Sequence, residues 1–198
     1  MLKIDIMELG VYFVNCYLIR EASASSCVVV DPGGNANKVF KYLEDNGLTL
    51  AAILLTHGHF DHVGAVKELA EKTGCPVYLH ANDLLLPEKF TAGPLYYTHH
   101  YDEGDVLELA GLTIRVMHTP GHTEGSVCLF VEDVIISGDT LFSHSCGRTD
   151  LPGGDPKAIM HSLARLKALE GDYRVLPGHN RATTLAVERE YNPFMKNL

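Results

Sequence analysis

The chain has 198 residues, 46% of them apolar, with Gly 18 and Pro 9 in ordinary shares. This is the size of one globular domain that buries roughly 70% of its unfolded surface, and it excludes collagen-like and disordered chains. Lys+Arg 16 against Asp+Glu 25 leaves a formal charge of -9, a diffuse acidity that argues against a nucleic-acid or anionic-membrane partner. No apolar run approaches the ~20 residues of a membrane span. The charged start Met1–Glu8 lacks an export signal's apolar stretch, so a cytoplasmic protein is expected.

In chain order, Asn15–Glu21 and Ser26–Val30 read as paired strands, the second halted by Asp31-Pro32-Gly33-Gly34. Val39, Phe40 and Leu43 place a helix over Asn37–Asn46, with Gly47 as its stop. Leu50–Leu55 is a continuous apolar run, as expected of a strand buried on both faces. A helix over Asp61–Lys72 follows, with Val63, Val66, Leu69 and Ala70 as its inner stripe. Pro76–His80, Val106–Leu109, Leu112–Met117, Ser126–Val131 and Val134–Ser137 are further strands. Pro87–Tyr101 shows no period and reads as a long surface loop. Asp155-Pro156 opens a helix carrying Ile159, Leu163, Leu166 and Leu169; a strand at Tyr173–Leu176 and a helix at Thr184–Tyr191 complete the chain. There is no linker, repeat or low-complexity tract, so residues 1–198 form a single α/β domain. The five cysteines include no C-x-x-C pair, and Cys27 and Cys128 sit in apolar runs as core residues.

Four strands end in the same way. Leu55-Thr56 runs into His57-Gly58-His59-Phe60-Asp61-His62, and Met117 into His118-Thr119-Pro120-Gly121-His122. Ser137 is followed by Gly138-Asp139, and Leu176 by Pro177-Gly178-His179. Each exit presents an imidazole or carboxylate, as functional loops of α/β sheets do. His57 and His59, two apart on an extended exit, project to one side, and Asp61 and His62 return to it from the next helix. Neutral imidazole with carboxylate suits Zn²⁺ or Fe²⁺. With His122, Asp139 and His179 the set reaches seven, enough for two ions sharing one carboxylate. His80, His99, His100, His118, His144 and His161 read instead as polar surface.

These motifs resemble the metallo-β-lactamase superfamily, whose signature is His-x-His-x-Asp-His with a later His, Asp and His. The resemblance implies a four-layer αββα sandwich. It also implies one metal site at His57, His59 and His122 and another at Asp61, His62 and His179, with Asp139 bridging. Two divalent ions are implied, zinc first, with iron or manganese also suited. Gly138-Asp139-Thr140-Leu141-Phe142 and Cys146-Gly147-Arg148 are similar to the glyoxalase II-like thioester hydrolases, in a short single-domain branch. The expected reaction is therefore thioester hydrolysis by a metal-bridging hydroxide that Asp61 orients, on a small anionic thioester.

Arg148 is a candidate substrate anchor, or alternatively a loop pin paired with Asp150 or Asp155. Thr56, Thr119 and Thr123 are candidate partners of the ligand side chains. Two departures stand against glutathione recognition: Asp150 replaces an aromatic, and His179-Asn180-Arg181-Ala182 lacks a tyrosine that contacts glutathione in that family. The alternative within the same fold is a persulfide dioxygenase with one iron on His57, His122 and Asp139, because Cys146-Gly147-Arg148-Thr149-Asp150 resembles its pattern too. A non-enzymatic metal module and a nuclease are disfavoured, the first by the full ligand set and the second by length and acidity.

Overall fold

A computed structural model describes all 198 residues. The first half of the chain forms one six-stranded sheet. Its strands are β1 (Leu2–Leu9), β2 (Val14–Glu21), β3 (Ser26–Val30), β4 (Thr49–Leu54), β5 (Val77–Leu79) and β6 (His99–His100), in spatial order β1-β2-β3-β4-β5-β6. β1 to β3 pair antiparallel and β3 to β6 parallel. Helix α1 (Ala36–Asp45) crosses between β3 and β4; α2 (Phe60–Val63) and α3 (Val66–Thr73) cross between β4 and β5.

The second half forms the other six-stranded sheet, from β7 (Val106–Leu109), β8 (Leu112–His118), β9 (Val127–Val131), β10 (Val134–Gly138), β13 (Arg174–Pro177) and β14 (Thr183–Thr184). Its order is β14-β13-β10-β9-β8-β7. A small ribbon of β11 (Leu141–Phe142) and β12 (Ser145–Cys146) follows β10. Helices α4 (Pro156–Lys167) and α5 (Leu185–Tyr191) complete this half.

Period-two alternation along strands buried on both faces builds the layers. In the first sheet Cys16, Leu18, Cys27, Val29 and Ile53 pack outward against Val39, Leu43, Val66 and Leu69 of α1 and α3. Their neighbours Tyr17, Ile19, Val28, Val30 and Leu54 face the opposite way, onto Ile114, Val116, Val127, Leu129 and Ile136 of the second sheet. Cys128, Phe130, Ile135 and Val175 pack on the far side against Ile159, Leu163 and Leu166 of α4 and Leu185 of α5. Three apolar interiors between four layers make the αββα sandwich that the motifs implied.

Several expectations change. β1 is a strand where none was expected: its residues are mostly half-exposed, with Leu2 and Ile4 on the core between the sheets, and its pairing runs the full length of β2. The helix expected over Asp61–Lys72 is two, divided at Gly64-Ala65, where a Cβ on Gly64 would stand 2.5 Å from the Gly33 carbonyl oxygen. Pro87–Tyr101 is not wholly surface loop. It contains a 3-10 turn at Glu88–Phe90 and the edge strand β6, and it ends in Tyr101, which is buried and donates its hydroxyl to the Leu55 carbonyl. His80 is buried rather than surface, its Nδ1 accepting from the Asn82 amide and its Nε2 facing Asp102.

Candidate metal centre

The expected side chains meet where the strand ends of both sheets converge. β4 delivers His57 and His59, and α2 turns Asp61 and His62 back toward them. His122 follows β8, Asp139 follows β10 and His179 follows β13. Within this cluster three groups have their ligand atoms close enough to share an ion: His57, His59 and His122; Asp61, His62 and His179; and His57, His62 and Asp139; a fourth group, His80, Asp102 and His118, lies outside it. Asp139 stands between the first two. Its Oδ2 is 3.5 Å from His122 Nε2 and 3.7 Å from His179 Nε2, and its Oδ1 is 3.5 Å from His62 Nε2. Asp61 Oδ2 lies 3.3 Å from His179 Nε2.

Four atoms in this cluster, His57 Nε2, His59 Nε2, His62 Nε2 and Asp139 Oδ1, are buried without any hydrogen-bond partner. Leaving such groups unpaired costs about 1–3 kcal/mol each, and a folded chain rarely accumulates them. His59 Nδ1 also lies only 2.9 Å from His122 Nε2. Crowded imidazoles with unpaired inward nitrogens fit divalent cations, which would accept those lone pairs.

The outward nitrogens fix which lone pairs point inward. His122 Nδ1 donates to the Arg148 carbonyl at 2.8 Å. His62 Nδ1 donates to Asp31 Oδ2 at 3.0 Å, and Asp31 also accepts from the Thr56 amide and hydroxyl at 2.8 and 2.6 Å. The Thr56 hydroxyl reaches His57 Nδ1 at 3.2 Å. Thr56 is thus a partner of the site. Thr119 bonds to Thr140 and to the Ser126 carbonyl, away from the cluster.

Thr123 acts one step further out, through a residue that the strand-exit pattern passed over. Asp83, buried in the turn after β5, accepts from the Gly58 amide at 2.7 Å, the Gly125 amide at 2.7 Å and the Thr123 hydroxyl at 3.1 Å. One carboxylate therefore ties the His57–His59 segment to the His122 segment. Asp31 and Asp83 both follow strands, so the four exits were in fact six.

Charge follows geometry. Burial drives His57 well below the ordinary imidazole range, helped by the neighbouring imidazoles, and brings His59 down to about 4. Burial opposes charge on His62 as well, but the Asp139 and Asp31 carboxylates overcome it and raise this ring to about 9. Burial would raise Asp61, yet the hydrogen bond from His179 and the nearby His62 hold it down at about 2.

The cluster opens into a cavity of about 630 Å³ walled by Tyr12, Phe60, Phe90, Phe142 and Leu151 on its apolar parts. Arg148 also lines it, but its fork is taken: Nε and Nη2 donate to the two oxygens of Asp150, each at 2.7 Å. Of the two roles the sequence left for Arg148, the loop pin has its partner in Asp150, while both side chains stand exposed at the mouth of the cavity. Its backbone carbonyl, holding His122, is nearer the chemistry than its charge.

A two-sheet sandwich with helices outside and this His/Asp cluster at one edge defines a metal-dependent hydrolase fold. The family model described as the metallo-beta-lactamase superfamily matches residues 9–179, and the chain belongs to that superfamily. Hydroxyacylglutathione hydrolase GloC of Haemophilus influenzae is 32% identical over 99% of both chains. The structure of TTHA1623 in a di-iron-bound form is 41% identical, with a TM-score of 0.86 over 96% of this chain and 99% of that one. The BLEG-1 B3 metallo-beta-lactamase is 36% identical, with a TM-score of 0.87 over 98% and 99%. One fold thus accompanies different activities among these proteins, and the cavity decides the substrate.

Proposed function

We propose that the protein is a dinuclear metallohydrolase of thioesters. His57, His59 and His122 would hold one ion, and Asp61, His62 and His179 the other, with Asp139 between them. The observation that carries this is the place of Asp139, within 3.5–3.7 Å of imidazoles from both groups. When bound, two divalent ions there supply a lowered water pKa and a Lewis acid for the carbonyl. Zinc suits the donors, and the di-iron form of a relative supports iron equally.

Asp61 is ionised at any working pH, and as an acceptor on the cavity wall it can hold the proton-bearing side of an attacking water. His179, bonded to it, fixes that orientation. The wall offers no lysine and no carboxylic acid besides Asp61 and Asp139, which face the imidazoles. A leaving amine needs a proton donor. A thiolate does not, because a thiol of pKa ~8.5 leaves unaided near neutral pH. A thioester thus makes the smaller demand on a wall whose hydroxyl and thiol donors are Tyr12, Ser145 and Cys146. The apolar wall suits the acyl portion.

The test is metal quantification after anaerobic purification, then turnover with a thioester panel and oxygen uptake with a persulfide. Thioester hydrolysis with two equivalents of metal supports the reading. Oxygen uptake with one iron, and no hydrolysis, replaces it with the persulfide dioxygenase.

A further inference from the structure

Three imidazoles of the metal centre have their outward nitrogen fixed by a neighbour: His57 by the Thr56 hydroxyl, His62 by Asp31 and His122 by the Arg148 carbonyl. His179 has no such partner. Its ring makes its polar contacts through Nε2, toward Asp61 Oδ2 at 3.3 Å and Asp139 Oδ2 at 3.7 Å, both within the cluster. It is also only half-buried, where the other four imidazoles are buried. Its position is therefore left to the backbone that carries it.

That backbone is the turn Pro177-Gly178-His179-Asn180 at the exit of β13. Asn180 closes it in a left-handed conformation, φ 66°, which few non-glycine residues adopt. The turn belongs to the second sheet, but it is gripped from the first. From β2, the Asn15 backbone amide donates to the Gly178 carbonyl at 2.8 Å. Asn15 Nδ2 donates to the carbonyls of Asn180 and Pro177 at 2.8 and 3.0 Å, and the Tyr17 hydroxyl to that of Pro177 at 2.6 Å. Three of the turn's four carbonyls thus accept from β2, across the seam between the sheets. Its own sheet adds a bond from the Gly178 amide to the Gly138 carbonyl, 2.8 Å.

The residue types suit this grip. Asn15 and Tyr17, two apart on a strand, share a face, and Tyr17 packs on the second sheet. Both are buried. A side-chain amide carries two N–H donors on one nitrogen, and here they meet two carbonyls. Burial pushes the Tyr17 hydroxyl well above its ordinary range, so it stays a donor. A buried amide beside Val14 and Cys16 costs desolvation that only such bonds offset.

We infer that Asn15 and Tyr17 are positioning residues for the second metal group: acting from the first sheet, they hold the Pro177–Asn180 turn and so set where His179 meets Asp61 and Asp139. This rests on the two-ion reading above.

Metal affinity tests it without turnover. The metal-free full chain is titrated with zinc against a competing chelator, which resolves a dissociation constant for each ion. His59→Ala and His179→Ala mark which constant belongs to which group. Asn15→Leu keeps the bulk of the side chain and removes both Nδ2 donors. It should weaken the ion marked by His179→Ala by about tenfold, the lower end of the range for residues that orient a metal ligand. The ion marked by His59→Ala should bind as before. Tyr17→Phe removes one of two donors to Pro177, so it should act in the same direction to a smaller degree, and it decides the matter if Asn15→Leu does not fold. Equal weakening of both ions, or an unchanged second ion, overturns the proposal and leaves Asn15 and Tyr17 as fold residues. Failure of the two-ion reading looks different, because the unaltered chain then takes up a single ion. The positioning role survives that outcome only if His179→Ala and Asn15→Leu both weaken this ion, and is otherwise overturned.

Discussion

Asp139 and Asp83 are both nearly enclosed carboxylates, yet they do opposite things with their lone pairs. Asp139 leaves Oδ1 unpaired toward the imidazoles, whereas Asp83 spends both oxygens on backbone and hydroxyl donors. Their variants should therefore differ in kind. Asp139→Asn keeps the shape and removes the charge that would serve two cations. It should lose at least one equivalent of metal and most activity, with the melting temperature of the chelated protein little changed; metal analysis beside calorimetry reads both.

Asp83→Asn puts an NH₂ where only acceptors fit, against the Gly58 or Gly125 amide. It should destabilise the metal-free fold by about 1–3 kcal/mol and also weaken metal binding, since the two histidine segments are no longer tied. Unchanged affinity in competition with a chelator would reduce Asp83 to a fold residue. Among the histidines, His122→Ala and His179→Ala should abolish activity, while His99→Ala and His161→Ala, away from the cluster, should leave turnover near normal.

At the level of elements, the site depends on chain segments approaching more closely than side chains allow. A Cβ on Gly178 would stand 2.2 Å from Asp139 Oδ1 and 2.7 Å from His62 Cε1. Gly178→Ala should thus displace the bridging carboxylate and cost at least one metal equivalent while the strands, seen by circular dichroism, persist. Such contacts explain what was legible beforehand. The apolar runs of β2, β3, β4, β9 and β10 were readable because burial on both faces confines polar residues to few positions, mostly near the strand ends. β1 was passed over because the alternation of Leu2, Ile4 and Ile6 with Lys3 and Asp5 is short and is broken at Met7 and Glu8.

The seven site side chains were legible because chemistry restricts them to His and Asp at strand exits. Asp31 and Asp83 escaped notice because a carboxylate after a strand is also ordinary turn punctuation. Asn15 escaped because nothing in the order Val14-Asn15-Cys16 reveals the turn of the other sheet that it holds.

For the whole molecule, metal and protons compete. In the metal-free protein the raised His62 gives stability that is full below the ordinary imidazole pKa of ~6.5 and is lost as pH rises through about 9. A cation takes the same lone pair, so loading at pH 8 should release a proton from this ring. Calorimetry in buffers of different ionisation enthalpy counts the protons released, those of metal-bound water included, and zero release would mean that His62 does not enter loading as a charged ring. Chelation should lower the melting temperature by on the order of 10 °C, from ~4 kcal/mol of linkage at a thousandfold excess over Kd and a few degrees per kcal/mol at this chain length.

The two sheets come from successive halves of the chain, and the candidate ligands divide with them. His57, His59, Asp61 and His62 lie in the first half; His122, Asp139 and His179 lie in the second. Neither half holds a complete set, so cations at this edge would act as rivets across the seam between the sheets. Hydrogen exchange should register this on both sides of the seam at once. Removing the ions would loosen β4 and β10 together, although no backbone hydrogen bond pairs one with the other.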